Sequence, residues 1–242
     1  MKAFLIIGQP RSGTTYLQTL LNSHPRVHCR GELFDPWQID DDGHKTKDFE
    51  AVIARDAAPE AFLDAKLAGE GLDGAEGLHR IGAKLLFQHN PRIMSHYIPL
   101  RPELALIHVR RENKLAQFSS LQQVARTQQW TSTESRAPAP AIKAAPGWAA
   151  AECNRLENQD FLLSHWLETL PNPLLSLTYR ALFAEDFESR VLDFLEVEPV
   201  GELRSPLVKQ GGNRIIERFE NADAITQYFR ATGRADWLEE EL

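Results

Sequence analysis

Between Gly8 and Leu17 the chain reads GQPRSGTTYL, directly after the apolar run AFLII. Two glycines, Gly8 and Gly13, stand five residues apart, and Arg11, Ser12, Thr14 and Thr15 add a guanidinium fork and three hydroxyls. Where a strand runs through such a loop into a helix, the backbone N–H groups of the first helical turn lack internal partners. The helix dipole favours negative charge at the same place. The chemistry this suits is the grip of a phosphate-like anion, with Arg11 able to bind it in bidentate fashion. The competing reading is a glycine turn whose Ser and Thr only cap the helix. A nucleoside triphosphate loop carries a lysine after its second glycine, and here Thr14 stands there. Such a site also wants a Mg²⁺-holding carboxylate at the end of a neighbouring strand. The runs LALIHVRR and LLSLTYR end instead in Arg110–Arg111 and Tyr179–Arg180. The expected ligand is a nucleotide handled without a metal and neutralised by cationic side chains.

Arg111 precedes Ser119 by eight residues, about 12 Å along a helix at ~1.5 Å per residue. A long arginine and a hydroxyl at that spacing can flank one phosphate group, or be a surface arginine and a solvated serine. Among eight histidines, His24 and His28 follow the loop helix, His89 follows the strand carrying Lys84, and His108 precedes the double arginine. His108 is expected to be a satisfied core residue, Lys84 to serve structure or bind substrate, and Trp130 to pack.

Positioning these groups requires a sheet. Brief apolar runs at Ala3–Ile7, Ile81–Phe87, Leu104–Val109 and Leu174–Thr178, with Val27–Cys29 as a further short one, alternate with helical patterns. Strands buried on both faces read this way, and the alternation predicts a P-loop-like, mostly parallel α/β sheet flanked by helices. Helical spacing follows Gly13 as far as Asn22–Pro25, then recurs from Asn113 to Gln129, around Leu156–Leu170, over Phe187–Leu195 and over Ala222–Thr232. Residues 35–75 are expected to form a helical cap. Residues 131–148, rich in proline and small side chains, are expected to form a mobile loop. The whole chain reads as one domain.

With 242 residues, 43% hydrophobic and 25% charged, the chain can bury a full core. A net charge of −7 argues against nucleic acid or another polyanion as partner. Cys29 and Cys153 lack metal spacing and read as reduced. With no leader-like segment and no apolar run approaching the ~20 residues of a membrane span, a cytoplasmic protein is expected. A homodimer is compatible with the sequence.

The segment PRSGTTYLQTLLNSHP followed by GELFD resembles the 5′-phosphosulfate loop of sulfotransferases that use 3′-phosphoadenosine 5′-phosphosulfate (PAPS). HVRRENKLAQFSSLQQVARTQQW is similar to their 3′-phosphate segment. LTYRALFAED and SPLVKQ resemble further stretches of the bacterial carbohydrate sulfotransferases, the group holding the nodulation-factor and trehalose 2-sulfotransferases. The likeness covers about two-thirds of the chain and is weak across the cap and the proline-rich loop. It implies that Arg11, Ser12, Gly13, Thr14 and Thr15 hold the 5′-phosphosulfate, with Arg11 bridging to the transferring group. By the same resemblance Arg111 and Ser119 hold the 3′-phosphate, Lys209 closes over the nucleotide, and Asp35 is the base, with Glu32 as substitute or substrate guide. The implied reaction is metal-free transfer from PAPS to a hydroxyl of a small carbohydrate or carbohydrate-containing metabolite. A degenerate P-loop kinase or NTPase, and a catalytically silent nucleotide-binding protein of the same fold, stand as the alternatives.

Overall fold

The computed structural model describes residues 2–130, 139–207 and 212–242. The chain enters β1 (Lys2–Gly8), turns through the glycine loop into α1 (Thr14–Leu21), and returns along β2 (Val27–Glu32). A small hairpin, β3 (Ile39–Asp41) and β4 (His44–Thr46), precedes α2 (Phe49–Ala57) and α3 (Pro59–Leu67). Then come β5 (Arg80–Leu86), β6 (Ala105–Arg110), α4 (Lys114–Thr127), α5 (Pro146–Glu168) and β7 (Leu174–Thr178), followed by α6 (Phe187–Phe194) and α7 (Ala222–Ala231). The residues expected to form a cap are therefore helical only in part, since the hairpin opens them. The expected loop is also shorter than its composition suggested. Residues 131–138 of it lie outside the described residues, and α5 begins at Pro146. Proline fits the first helical position, where its missing N–H costs nothing, so a proline-rich stretch ran directly into a helix.

Five strands form one parallel sheet in the order β2-β5-β1-β6-β7. With β1 central, its successor elements lie first on one side and then on the other. The loop after β1 thus opens at the point where strand order reverses, the usual crevice for ligands in open α/β sheets.

Alternation along β1 explains its wholly apolar sequence. Phe4 and Ile6 face α1 and α6, packing with Leu17, Leu20, Leu21, Val191 and Leu192. Leu5 and Ile7 face α3 and α5, packing with Leu63, Leu67, Leu163 and Leu167. Successive side chains of a strand point to opposite faces, so a strand covered on both sides must be apolar throughout. Each such buried side chain contributes about 1.5–3 kcal/mol. A third cluster joins Leu115 and Phe118 of α4 to Leu156 of α5, Ile225 and Phe229 of α7, and Trp237. It packs the C-terminal part of the described chain against the helix that follows Arg111. Among the described residues, no helix is long and apolar enough to cross a membrane.

Candidate active site

The loop between β1 and α1 is held tightly from outside itself. Gly8 cannot be replaced without a shift, because a Cβ there would lie 2.5 Å from the Val109 carbonyl oxygen. Gly13 takes a left-handed φ of 104°, and a Cβ would meet Leu182 at 2.8 Å and Tyr179 at 2.9 Å. Arg11 is left-handed too, with φ 63°, a conformation costing a non-glycine residue on the order of 1–3 kcal/mol. Polar groups from two helices hold the loop. Gln117 of α4 donates to the Pro10 carbonyl oxygen at 2.8 Å, and Gln9 donates to the Leu156 carbonyl oxygen at 2.8 Å and to Asp160 at 2.5 Å. Lys114 of α4, also buried, pairs with Asp160 and donates to the Arg111 carbonyl oxygen.

Ser12 is fully buried, and its hydroxyl donates back to the Gln9 carbonyl oxygen at 2.8 Å. No side-chain cap bond closes the start of α1, whose N-cap is Gly13. The first-turn N–H groups are thus not taken up as they would be in a simple capped turn. Thr14 is buried and Thr15 half-buried.

One side of the loop carries an acid–base cluster. Lys84 of β5 donates to Thr15 Oγ1 at 2.8 Å and pairs with Glu32 at 2.9 Å. His89 places Nε2 3.7 Å from the other oxygen of Glu32, while its buried Nδ1 has no hydrogen-bond partner among the described residues. Burial pushes the His89 pKa below the usual value, opposed by the charges of Glu32 and Asp35. Asp35 is used differently. Its carboxylate accepts from the Trp37 N–H at 2.9 Å and from Gln38 Nε2 at 3.0 Å, closing the turn that follows Phe34. Arg55, fully buried, donates to the carbonyl oxygens of Leu33, Asp35 and Gln38 and fixes that turn.

The other side is arginine-rich. Arg11 donates through Nε to Ser120 Oγ at 2.9 Å and through Nη1 to the Trp130 carbonyl oxygen at 2.5 Å. Burial first, and then the charge of Arg111, lower the Arg11 pKa to about 10, which leaves it cationic at neutral pH. Arg111 lies 4.5 Å above the Tyr179 ring and donates to the Arg11 carbonyl oxygen at 3.0 Å. Its remaining donors hold Glu241 in a bidentate pair, both contacts 2.5 Å. Ser119 is buried, donates to the Ala116 carbonyl oxygen at 3.0 Å and accepts from Arg218 at 3.1 Å. Burial, and next the charge of Arg111, lower the Arg218 pKa to about 10.

The structure therefore links Thr15 to Glu32 through Lys84, with Arg11, Gly13 and Thr14 in the adjoining loop and first turn. Arg111 and Ser119 border the same region with Arg218 between them. Lys209 lies outside the described residues. Sequence reasoning missed Ser120, Arg218 and Glu241. Nothing in the local sequence RIIERF singled out Arg218. His108 is buried as expected, but its Nε2 is unpartnered among the described residues, so it is not a satisfied core histidine. Trp130, expected to pack, is 53% exposed. Its backbone oxygen is what serves the site.

A family model described as Sulfotransferase family matches residues 3–200. Nodulation protein H of Rhizobium meliloti (strain 1021) is 30% identical over 140 residues, 57% of this chain and 53% of that protein. A second Nodulation protein H of Rhizobium meliloti is 25% identical over 189 residues, 72% of this chain and 73% of that protein. The chain thus spans about half the length of the first of these relatives. Among solved structures, the sulfotransferase domain from the Synechococcus PCC 7002 olefin synthase matches with a TM-score of 0.48 and 15% identity, covering 94% of this chain and 87% of that one. A sulfotransferase from Alicyclobacillus acidocaldarius also matches with a TM-score of 0.48, at 12% identity and 98% coverage of both chains.

Proposed function

The chain belongs to the sulfotransferase family, and we propose that it moves a sulfuryl group from PAPS to a hydroxyl of a small carbohydrate or carbohydrate-containing metabolite. The observation that carries this reading is a short chain of contacts. Thr15, in the first turn of the anion loop's helix, is bonded to Lys84, and Lys84 is paired with the carboxylate of Glu32. An anion-holding helix start and a proton acceptor are thus joined through a single cation.

PAPS supplies the sulfuryl group and a nucleotide phosphate as leaving group. The residues present fit such a group: uncapped N–H groups begin α1, Arg11 stands beside them, and Arg111 and Arg218 lie farther along. Arg11 and the helix start hold negative charge during transfer, with each well-aimed donor contributing on the order of 2.7–4 kcal/mol. Glu32 accepts the proton of the attacking hydroxyl, a role that accelerates such steps by about 10²–10⁴-fold. Lys84 fixes the carboxylate and keeps it against Thr15. His89 backs the other oxygen of Glu32. Asp35, implied as the base by resemblance, is assigned instead to shaping the turn over which the acceptor enters, because both its oxygens are engaged there. The acidic surface favours a small acceptor over a sulfated or phosphorylated polymer.

Calorimetry with adenosine 3′,5′-bisphosphate and with ATP–Mg²⁺ tests the donor class. The bisphosphate is expected to bind. Tight binding of ATP–Mg²⁺ with none of the bisphosphate would overturn the reading in favour of a P-loop kinase or NTPase.

A further inference from the structure

Arg111 is not a free cation waiting for a ligand. Nε and one terminal nitrogen hold both oxygens of Glu241, the other terminal nitrogen holds the Arg11 carbonyl oxygen, and Tyr179 covers one face. The pair is buried, with side-chain exposures of 6% and 5%. We infer that Glu241 is a selectivity residue for the nucleotide: an internal anion on Arg111 that a 3′-phosphate must displace, so that it sets how strongly 3′-phosphorylated nucleotides are preferred. This rests on the proposed reading of Arg111 as a nucleotide-binding residue.

Charge, geometry and tethering all support it. Charge comes first, because three guanidiniums, those of Arg11, Arg111 and Arg218, act on one another across this region. Glu241 supplies a single negative charge among them. A phosphate monoester carries about −1.5 to −2 at neutral pH and offers three acceptor oxygens, so it neutralises the cluster better than one carboxylate. The geometry of the pair also matches, since the guanidinium fork that binds a carboxylate in bidentate fashion binds a phosphate in the same way.

The tethering of the segment is light. Glu239, Glu240 and Leu242 are exposed, and within 239–242 only Glu241 is buried. Among the described residues, what holds the segment besides Arg111 is peripheral. Arg180 donates to the Glu241 carbonyl oxygen at 3.2 Å, Arg214 reaches Glu240 at 3.4 Å, and Asn213 bonds the backbone of Leu242. A cleft of about 260 Å³ lies beside it, lined in part by Glu112, Tyr179, Arg180 and Trp237. The segment has room to withdraw without disturbing the core.

The test compares adenosine 3′,5′-bisphosphate with adenosine 5′-monophosphate by calorimetry, on the protein and on Glu241→Gln. Glutamine keeps the shape and removes the charge. The variant is expected to bind the bisphosphate about tenfold more tightly, equivalent to about 1.4 kcal/mol, with the monophosphate nearly unchanged. An unchanged ratio between the two nucleotides, or parallel weakening of both, overturns the inference and marks Glu241 as a structural partner only. Should the variant fail to fold, hydrogen exchange over residues 237–242 of the unmodified protein decides. Faster exchange with saturating bisphosphate, but not with monophosphate, is expected, and unchanged or slower exchange overturns the inference. If neither protein binds the bisphosphate, the nucleotide reading of Arg111 falls as well. If both bind it at one ratio, only the role of Glu241 falls.

Discussion

Glu32 and Glu241 each pair with a buried cation near the carboxyl ends of the parallel strands, and the two pairs are built for different ends. Glu32 keeps 24% of its side chain exposed, and its partner Lys84 also bonds Thr15. Glu241 is 5% exposed and is gripped at both oxygens by an arginine that is itself 6% exposed. On the proposed reading, the first carboxylate meets an arriving hydroxyl and takes its proton. The second cannot leave Arg111 without another anion taking its place, since an uncompensated buried charge is costly. Lysine suits the first role as a compact point charge, and arginine suits the second through its planar fork. The same pairing of charges gives a working group in one place and a lock in the other.

The largest expected effect is on the exposed side. Glu32→Gln should lower the transfer rate by about 10²–10⁴-fold while nucleotide affinity by calorimetry stays near that of the unmodified protein. Asp35→Asn should cost far less. If Asp35→Asn proves the more damaging and Glu32→Gln is silent, the base has been placed on the wrong acid. On the buried side, Arg111→Ala removes the partner of Glu241 and should weaken the bisphosphate in the same calorimetry. Glu241→Gln should tighten the bisphosphate instead, so the two members of one pair are expected to move affinity in opposite directions. Arg11→Ala, between the two regions, should lower kcat by about 10²–10³-fold in a sulfuryl-transfer assay, with the fold retained by circular dichroism.

A further effect is one of pH. Burial of His108 lowers its pKa from 6.5 to about 4, with Asp160 of α5 opposing that shift and Arg110 of β6 and Lys114 of α4 adding to it. Between those values the unfolded chain binds a proton that the folded chain refuses. The contribution is therefore fully present above pH 6.5 and is lost as pH falls toward 4, with a slope approaching about 1.4 kcal/mol per pH unit. Denaturant midpoints across this window should fall with pH, and His108→Gln should flatten the slope.

The strands were legible because a strand buried on both faces leaves a plain mark, an apolar run such as Phe4–Ile7 bounded by glycine. The loop was legible because its glycines and hydroxyls lie within a few residues of each other. The different surroundings of the two acids were not legible. Glu32 and Asp35 are three residues apart and of similar chemistry, and nothing local says which carboxylate a turn will consume. The start of α5 was misjudged because proline marks both loops and first helical positions.

What the sequence determined by itself is a parallel α/β sheet with a lysine-free glycine loop after its first strand, for these follow from local pattern and short spacing. Tertiary structure alone decided that Lys84 joins Thr15 to Glu32, that Ser120 and Trp130 orient Arg11, and that Glu241 sits on Arg111. Those partners are brought together from 52 to 130 residues apart. Contacts of that kind are set by how helices and strands pack, and no local propensity or spacing encodes them.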